Sequence, residues 1–400
     1  MNLECSRVGG EATICLKGRI TAENSREVEE KLFSLLSGDF PEKVILDAKE
    51  LSYISSSGLR ILLQLRKKCP SVSMVNVSRD VADVLRMTGV DKMIDTRGAL
   101  REVSVEGCPC IGKGKNGAVY RLDRDTIIKL YPISGAAWQE VEREKENAKA
   151  AFVLGVPTAL SFDVVQSGDQ IGIVFEMVDA KSLRDVVASQ PDMIEPLITK
   201  AAGLLKRLHR IEVPTGTFPD MAEVYRKRVA GLTDYLTQEE IRLLYRMIDS
   251  IPKRNAYIHG DYHRGNIMVK GEELILIDMA DSSVGHPLYD VLGVYMLGMD
   301  LVNKFPPQTV KQIIGWDTAM VRKVWEIFRS VYFETEDLDE LSQIEDMMET
   351  YCWLRHMTFL KIAPVYTEEL RTKMIAAARA QFFPRAEECM KRFAGKLRVM

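Results

Sequence analysis

Residues 257–278, in the second half of the chain, set the tightest limit on what it can fold into. The segment Tyr257-Ile-His259-Gly-Asp261-Tyr-His-Arg-Gly-Asn266-Ile-Met places Asp261 and Asn266 five residues apart on one loop. Twelve residues after Asn266 comes Asp278, at the end of the aliphatic run Leu274-Ile-Leu-Ile-Asp278. Such a run reads as a buried strand. The fold must therefore set an acid at a strand end beside a loop that carries Asp and Asn. That arrangement makes a site of oxygen ligands suited to magnesium. Phosphoryl transfer asks for the same parts: a carboxylate near the attacking hydroxyl and an amide oxygen on a metal.

The residues before this loop supply the rest of such a site. Gly112-Lys-Gly114-Lys-Asn-Gly117-Ala-Val119-Tyr is a glycine-rich hairpin, whose bare backbone amides can approach phosphate oxygens. Lys129 lies inside Ile127-Ile-Lys-Leu130, a strand pattern in which a lysine is unusual unless it has work to do. A phosphate-holding lysine calls for a carboxylate on the next helix. Glu144 fits, because its helical neighbours Ala148 and Ala151 look buried, whereas Glu140, Glu142 and Glu146 suit a solvated face.

Taken together, residues 107–400 resemble the aminoglycoside phosphotransferase and choline kinase family, within the protein-kinase-like fold. His259-Gly-Asp261 through Asn266, with Ile277-Asp278, resembles that family's Brenner motif and metal-binding aspartate. Val141-Glu-Arg-Glu144 resembles its lysine-pairing helix, and Gly155-Val-Pro157 the turn after it. Phe175-Glu176-Met177 resembles the hinge whose backbone meets adenine. Gly285-His-Pro287 and Asp290 resemble the segment that steadies the catalytic loop. The resemblance implies ATP and Mg2+ as cofactors. It implies Asp261 as base, Asn266 and Asp278 on the metal, and Lys129, paired with Glu144, on the phosphates. It implies Gly112, Gly114, Gly117, Glu176 and Met177 around the nucleotide. The chain departs from protein kinases: Met279 and Ala280 follow Asp278, no long activation segment follows, and Gly260 stands where those enzymes place arginine. These departures favour a small-molecule hydroxyl as acceptor.

Residues 1–105 read differently. Thr13–Leu16, Val44–Leu46 and Val72–Val77 look like strands. Between them lie amphipathic helices over 22–37, from Ser56 or Ser57 onward, and up to Gly89. Asp47-Ala-Lys-Glu-Leu-Ser-Tyr53-Ile-Ser-Ser56-Ser-Gly58-Leu resembles the STAS domain of anti-sigma factor antagonists, over about residues 1–104. The resemblance implies a protein partner and makes Ser56 the phosphoacceptor candidate. A phosphate there would meet the free amides of a helix N-terminus. Ser55 replaces the acid often found before that acceptor.

The expected architecture is α/β plus α+β: a small STAS-type α/β sandwich (1–105), then a bilobal kinase-like domain with its N-lobe at 106–179 and helical C-lobe at 180–400. Charged residues are 28% of the chain and the net charge is −3, which gives no basic stripe for nucleic acid. No apolar run approaches a membrane span. With no basic-then-apolar leader at Asn2-Leu-Glu4, the sequence reads as cytoplasmic. Seven scattered cysteines argue against a disulfide framework. Residues 334–350 hold eight acids and no Lys or Arg, a surface that could draw a cationic acceptor or simply be a solvated helix face. The leading reading is an ATP- and Mg-dependent phosphotransferase acting on a small-molecule hydroxyl. The alternative is a signalling serine kinase of a partner-switching pathway, acting on Ser56. A binding module with an inactive kinase fold fits least, because Lys129, Glu144, Asp261, Asn266 and Asp278 are all present.

Overall fold

The computed structural model describes residues 1–37, 40–114, 117–132, 137–363 and 366–399. The chain divides into two compact units, Met1–Ser104 and Val105–Met400.

In the first unit, β1 (Asn2–Val8) pairs antiparallel with β2 (Glu11–Ile20), and β3 (Lys43–Asp47), β5 (Ser71–Val77) and β6 (Asp95–Gly98) continue the sheet in parallel. Short β4 (Leu51–Ile54) pairs with the end of β2. Along β2, Ala12, Ile14 and Leu16 are buried while Glu11, Thr13, Cys15 and Lys17 stay partly exposed. Alternation of this kind marks a sheet packed on one face. Helices α1 (Ser25–Leu35), α2 (Ser56–Lys68) and α3 (Arg79–Thr88) contribute Val28, Leu32, Leu59, Leu62, Leu65, Val81 and Leu85 to that core. The sequence reading found the inner strands and the three helices. It missed β1, β4 and β6, which are edge or very short strands whose pairing comes from neighbours.

At the start of α2 the capping falls to Ser55, whose side chain accepts from the Gly58 amide at 3.3 Å. Ser56 is the first helical residue and is exposed. Gly58 is set by packing: a Cβ there would lie 2.7 Å from side-chain carbons of both Ile20 and Ile54.

In the second unit, five antiparallel strands lie in the order Ser161–Ser167, Gln170–Glu176, Thr126–Leu130, Gly117–Arg121, Cys110–Gly114. The helix Ala137–Val153 packs on this sheet through Val141, Glu144, Ala148 and Ala151, all buried. Beyond residue 180 the chain is mostly helical. The helix Ile194–Leu208 buries Leu197, Ile198, Ala201, Leu204, Leu205 and Leu208, as its apolar stripe predicts. It packs against Thr318–Phe333, while Leu338–Phe359 runs through the core. No helix among the described residues is long and apolar enough to cross a membrane.

Replacing Gly58 by valine should loosen the docking of α2, because overpacking of this kind costs about 1–3 kcal/mol. Hydrogen exchange on the full chain should then be faster over residues 51–68 and unchanged over 194–208. Equal protection in both segments would refute the packing argument.

Candidate active site

A short hairpin joins the two halves of the site. Strands Ile267–Lys270 and Glu273–Leu276 pair antiparallel with Ile267 opposite Leu276. The residues just outside them are therefore neighbours, and the Ile277 amide donates to the Asn266 carbonyl at 3.0 Å. The Asn266 side chain is nearly buried, and its Nδ2 donates to both the carbonyl and Oδ2 of Asp261 at 3.1 Å. That bond turns the amide oxygen away from Asp261. Asp278 has φ 62° and ψ 69°, a left-handed conformation that costs a non-glycine residue roughly 1 kcal/mol or more.

Asp278 in turn reaches the sheet. Lys129 Nζ lies 3.2 Å from Asp278 Oδ1 and 2.7 and 2.9 Å from the two oxygens of Glu144. Glu144 alone of the four acids meets the lysine, being buried while Glu140, Glu142 and Glu146 are exposed. The Tyr131 hydroxyl donates to Glu144 Oε2 at 2.6 Å. Burial works against the lysine ammonium, but Glu144 and Asp278 outweigh it and hold its pKa above the ordinary value. Burial pushes the Glu144 carboxyl up, against the pull of Lys129. Burial, with Glu144 beside it, drives the Tyr131 phenol far up, so it remains a donor.

The loop that carries Asp261 hangs from buried charges. Asp290, 1% exposed, accepts from the amides of His259 at 2.8 Å and Gly260 at 2.7 Å, and contacts His209 Nε2 at 3.1 Å. His209 Nδ1 meets the Tyr332 hydroxyl at 2.6 Å, so this histidine is a strut between Asp290 and the helix Thr318–Phe333. Burial alone would raise the Asp290 pKa, but His209 and the amides lower it, which keeps the carboxylate ionised. From the other side Arg355 Nη2 donates to the Gly260 carbonyl at 3.3 Å. Its Nη1 donates to the Tyr225 hydroxyl and the Tyr289 carbonyl, both at 3.1 Å. Gly260 has φ 82°, and a Cβ there would fall 2.4 Å from the Asp281 carbonyl oxygen. Arginine, which protein kinases place here, has no room.

A match to a known family covers Lys129, Tyr131, Glu144, the loop 259–266, Asp278 and Asp290. Residues 111–323, just over half of the chain, match the model of the phosphotransferase enzyme family. The chain belongs to the phosphotransferase enzyme family. Residues 3–103 match the STAS domain model. A putative anti-sigma factor antagonist, BtrV of Bordetella bronchiseptica, is 29% identical over 93 residues, covering 22% of this chain and 79% of its own. Among solved structures, the gentamicin complex of APH(2'')-IIa is 15% identical, covers 78% of this chain and 99% of its own, and has a TM-score of 0.45. A choline/ethanolamine kinase family protein from Mesorhizobium loti is also 15% identical, with 71% and 92% covered and a TM-score of 0.44.

Gly112 and Gly114 lie in the strand Cys110–Gly114, and Gly117 opens its partner strand opposite Gly114, with Lys115 and Asn116 of the motif outside the described residues. Gly117 is the glycine that packing demands, at φ 131° with Leu130 O only 1.8 Å from an added Cβ. Gly114 has open space and Gly112 lies against Val119. At the segment that resembles a hinge, Glu176 N donates to Leu160 O at 2.9 Å and Met177 N to Asp125 O at 2.8 Å. His259 Nδ1 accepts from the Asp261 amide at 3.3 Å, a loop-shaping role. His263 Nδ1 accepts from Gly265 N at 2.9 Å, so the neutral ring carries its proton on Nε2, 3.5 Å from Asp261 Oδ2. Burial pushes the His263 pKa down and favours that neutral form. Among the described residues no three or more His, Cys, Asp or Glu gather as a metal site. Magnesium does not need them, since one or two carboxylates plus substrate phosphates suffice. The Asp278 carboxylate and the free-turned oxygen of Asn266 are donors of the right hardness.

Asn147 carried no signal in sequence and proves central. Its Nδ2 lies 3.2, 3.1 and 3.4 Å from the carbonyls of Met279, Ala280 and Ser282. One turn beyond Glu144, it clamps the segment after Asp278 to the same helix that holds Lys129. An asparagine in a helix is common, and only the close approach of that segment gives it a partner. Asn147→Ala should leave buried carbonyls unpaired, at a cost of about 1–3 kcal/mol. Hydrogen exchange over residues 278–284 should accelerate while that of the Asp290-bonded amides of His259 and Gly260 holds. No change over 278–284 would show that the clamp is idle.

Proposed function

We propose that this phosphotransferase is an ATP- and magnesium-dependent kinase acting on a hydroxyl of a small molecule, with residues 1–105 as a regulatory STAS module. In this reading residues 106–179 and 180–400 are the two lobes of the kinase domain. The observation that carries it is the three-way contact of Lys129 with Glu144 and Asp278, within 3.2 Å, beside the Asp261–Asn266 pair. Lys129 holds nucleotide phosphates, and Glu144 with Tyr131 fixes its ammonium in place. Gly112, Gly114 and Gly117 let the hairpin backbone approach the phosphates, and the hinge at Glu176 and Met177 meets the base. Asn266 and Asp278 hold magnesium, which when bound neutralises charge on the phosphate oxygens. Asp261 accepts the proton of the attacking hydroxyl as its oxygen bonds to the γ-phosphorus and the bond to the β–γ bridging oxygen breaks. The His263 Nε2 proton orients the Asp261 carboxylate. The protein is expected to act in the cytoplasm.

A second reading rests on Ser56. Ser55 does the capping and leaves Ser56 exposed at the first turn of α2, where free amides favour a phosphate. Phosphorylation of Ser56, by this enzyme or another kinase, would add about −1.5 to −2 charge to the surface that a protein partner reads.

Asp261→Ala should lower ATP turnover by a factor of about 10²–10⁴ while leaving nucleotide affinity within a few-fold. Asp278→Ala should instead abolish the magnesium dependence of nucleotide binding in calorimetry. Full turnover in Asp261→Ala would remove the base from the reading. Intact mass and peptide mapping after incubation with ATP and magnesium decide the second reading: an unmodified Ser56 excludes self-phosphorylation.

A further inference from the structure

The loop from His259 to Asn266 is tied at two points to a single helical run. That run consists of the helix Leu288–Tyr295, the π-helical turn Met296–Asp300 and the helix Leu301–Lys304. Near its start, Asp290 takes the amides of His259 and Gly260. Further along, the Leu297 carbonyl accepts from Arg264 Nη1 at 3.1 Å. The interval from 290 to 297 corresponds to about 10 Å along an α-helix. Asp261 leaves the loop between the two ties, and Asn266 follows the second.

The second tie is a partly buried cation without a counter-charge. Arg264 Nη2 donates to the Ile314 carbonyl at 3.4 Å, and the guanidinium lies 5.1 Å from the centre of the Trp316 ring. Among the described residues no carboxylate pairs with it. The backbone is held as well, since the Arg264 carbonyl accepts from the Arg184 amide at 3.1 Å. Both side-chain acceptors sit where a helix leaves its regular pattern. Ile314 ends the helix Pro307–Ile314, and the last carbonyls of a helix have no partner within it. Leu297 lies in the π-helical turn, a departure from the α-helix that recurs at functional sites. Arginine keeps its charge in proteins. Taking that charge out of water against neutral carbonyls costs more than enclosing an apolar side chain. Stability alone does not account for such a group, whereas a planar fork bonded to two separate carbonyls fixes position.

A short path leads from this tie to the reacting end of the site. The Asn266 amide donates to the His263 carbonyl at 2.9 Å, so residues 263–266 form one tight turn with Arg264 inside it. Asn266 Nδ2 then bonds the carbonyl and Oδ2 of Asp261, both at 3.1 Å. A shift at Arg264 passes through the turn to Asn266 and from Asn266 to the Asp261 carboxylate. We propose that Arg264 is a positioning residue of the phosphoryl transfer, holding the Asn266–Asp261 pair in register by tying the loop to the carbonyls of Leu297 and Ile314. It acts through Asn266 and not on the acceptor itself. The assignment rests on the kinase reading above and adds a residue to it. Misplacement of reacting groups by about 1 Å costs up to ~10²-fold in rate. Lys129, which holds the nucleotide phosphates in that reading, is fixed by Glu144 and Asp278 and not by this tie.

The test uses the full chain with ATP and magnesium and reads ADP release. Arg264→Ala should lower kcat by about 10–10²-fold and keep the KM for ATP within about threefold. Guanidinium chloride at a non-denaturing concentration should restore part of that kcat, and sodium chloride at the same ionic strength should not. Arg264→Lys keeps the charge without the two-pronged fork, so its kcat should fall between wild type and Arg264→Ala. It carries the test if Arg264→Ala does not fold. Val324→Ala loosens the packing of a cavity that Arg264 and Trp316 also line, but cuts no tie, and should keep the wild-type kcat. In hydrogen exchange, the Asn266 amide of Arg264→Lys should exchange faster while the Asp290-bonded amides of His259 and Gly260 hold. A wild-type kcat in the Arg264 variants, an equal loss in Val324→Ala, or a loss in Arg264→Ala that guanidinium does not restore would overturn the positioning role and leave the kinase reading standing. A wild-type chain that neither binds ATP nor releases ADP would overturn both.

Discussion

Lys129 Nζ stands within hydrogen-bonding distance of two carboxylates that come from opposite parts of the second unit, Glu144 on the helix over the sheet and Asp278 after the hairpin. Each of the three charges would be costly to bury alone. Removing one partner from such a buried set leaves an uncompensated charge, typically at about 3–5 kcal/mol. The strand layer, the Ala137–Val153 helix and the loop after Asp278 are thus tied through one ammonium. Asn147 repeats the tie with neutral hydrogen bonds one turn along the same helix.

The loop bearing Asp261 is held by a second, separate device. Asp290 takes two consecutive amides, and Arg355 takes the carbonyl of the second. Gly260 is the residue through which both act, and its left-handed backbone against Asp281 O admits no side chain. Two anchors of opposite sign on the two peptides flanking Gly260 fix the direction in which Asp261 leaves the loop. Catalysis by positioning depends on that kind of rigidity.

Much of this was legible beforehand, for identifiable reasons. The aliphatic run 274–277 and the stripe of the Ile194–Leu208 helix announce themselves by periodicity. Glu144 could be told from its rivals because its neighbours at helical spacing are apolar, and it is indeed the acid that meets Lys129. The struts were not legible. His209, Tyr332, Arg355, Asn147 and Tyr131 are ordinary residues in ordinary patterns, and their partners lie between 13 and 135 residues away in the chain. The acidic stretch 334–350 was ambiguous in the other direction, since composition cannot show that Lys206, Arg329 and Arg392 come to bridge it.

The sequence by itself determined the inventory of the site: which carboxylates, amide, lysine and glycines are present, in an order that fits one family. It also determined the local elements, because alternation and helical spacing act over a few residues. Only the tertiary structure decided which atoms meet. That Lys129 is shared by Glu144 and Asp278, and that Gly260 lies between Asp290 and Arg355, are consequences of chain segments packing across long separations. Packing selects partners by distance and direction, which a linear order of residues does not contain.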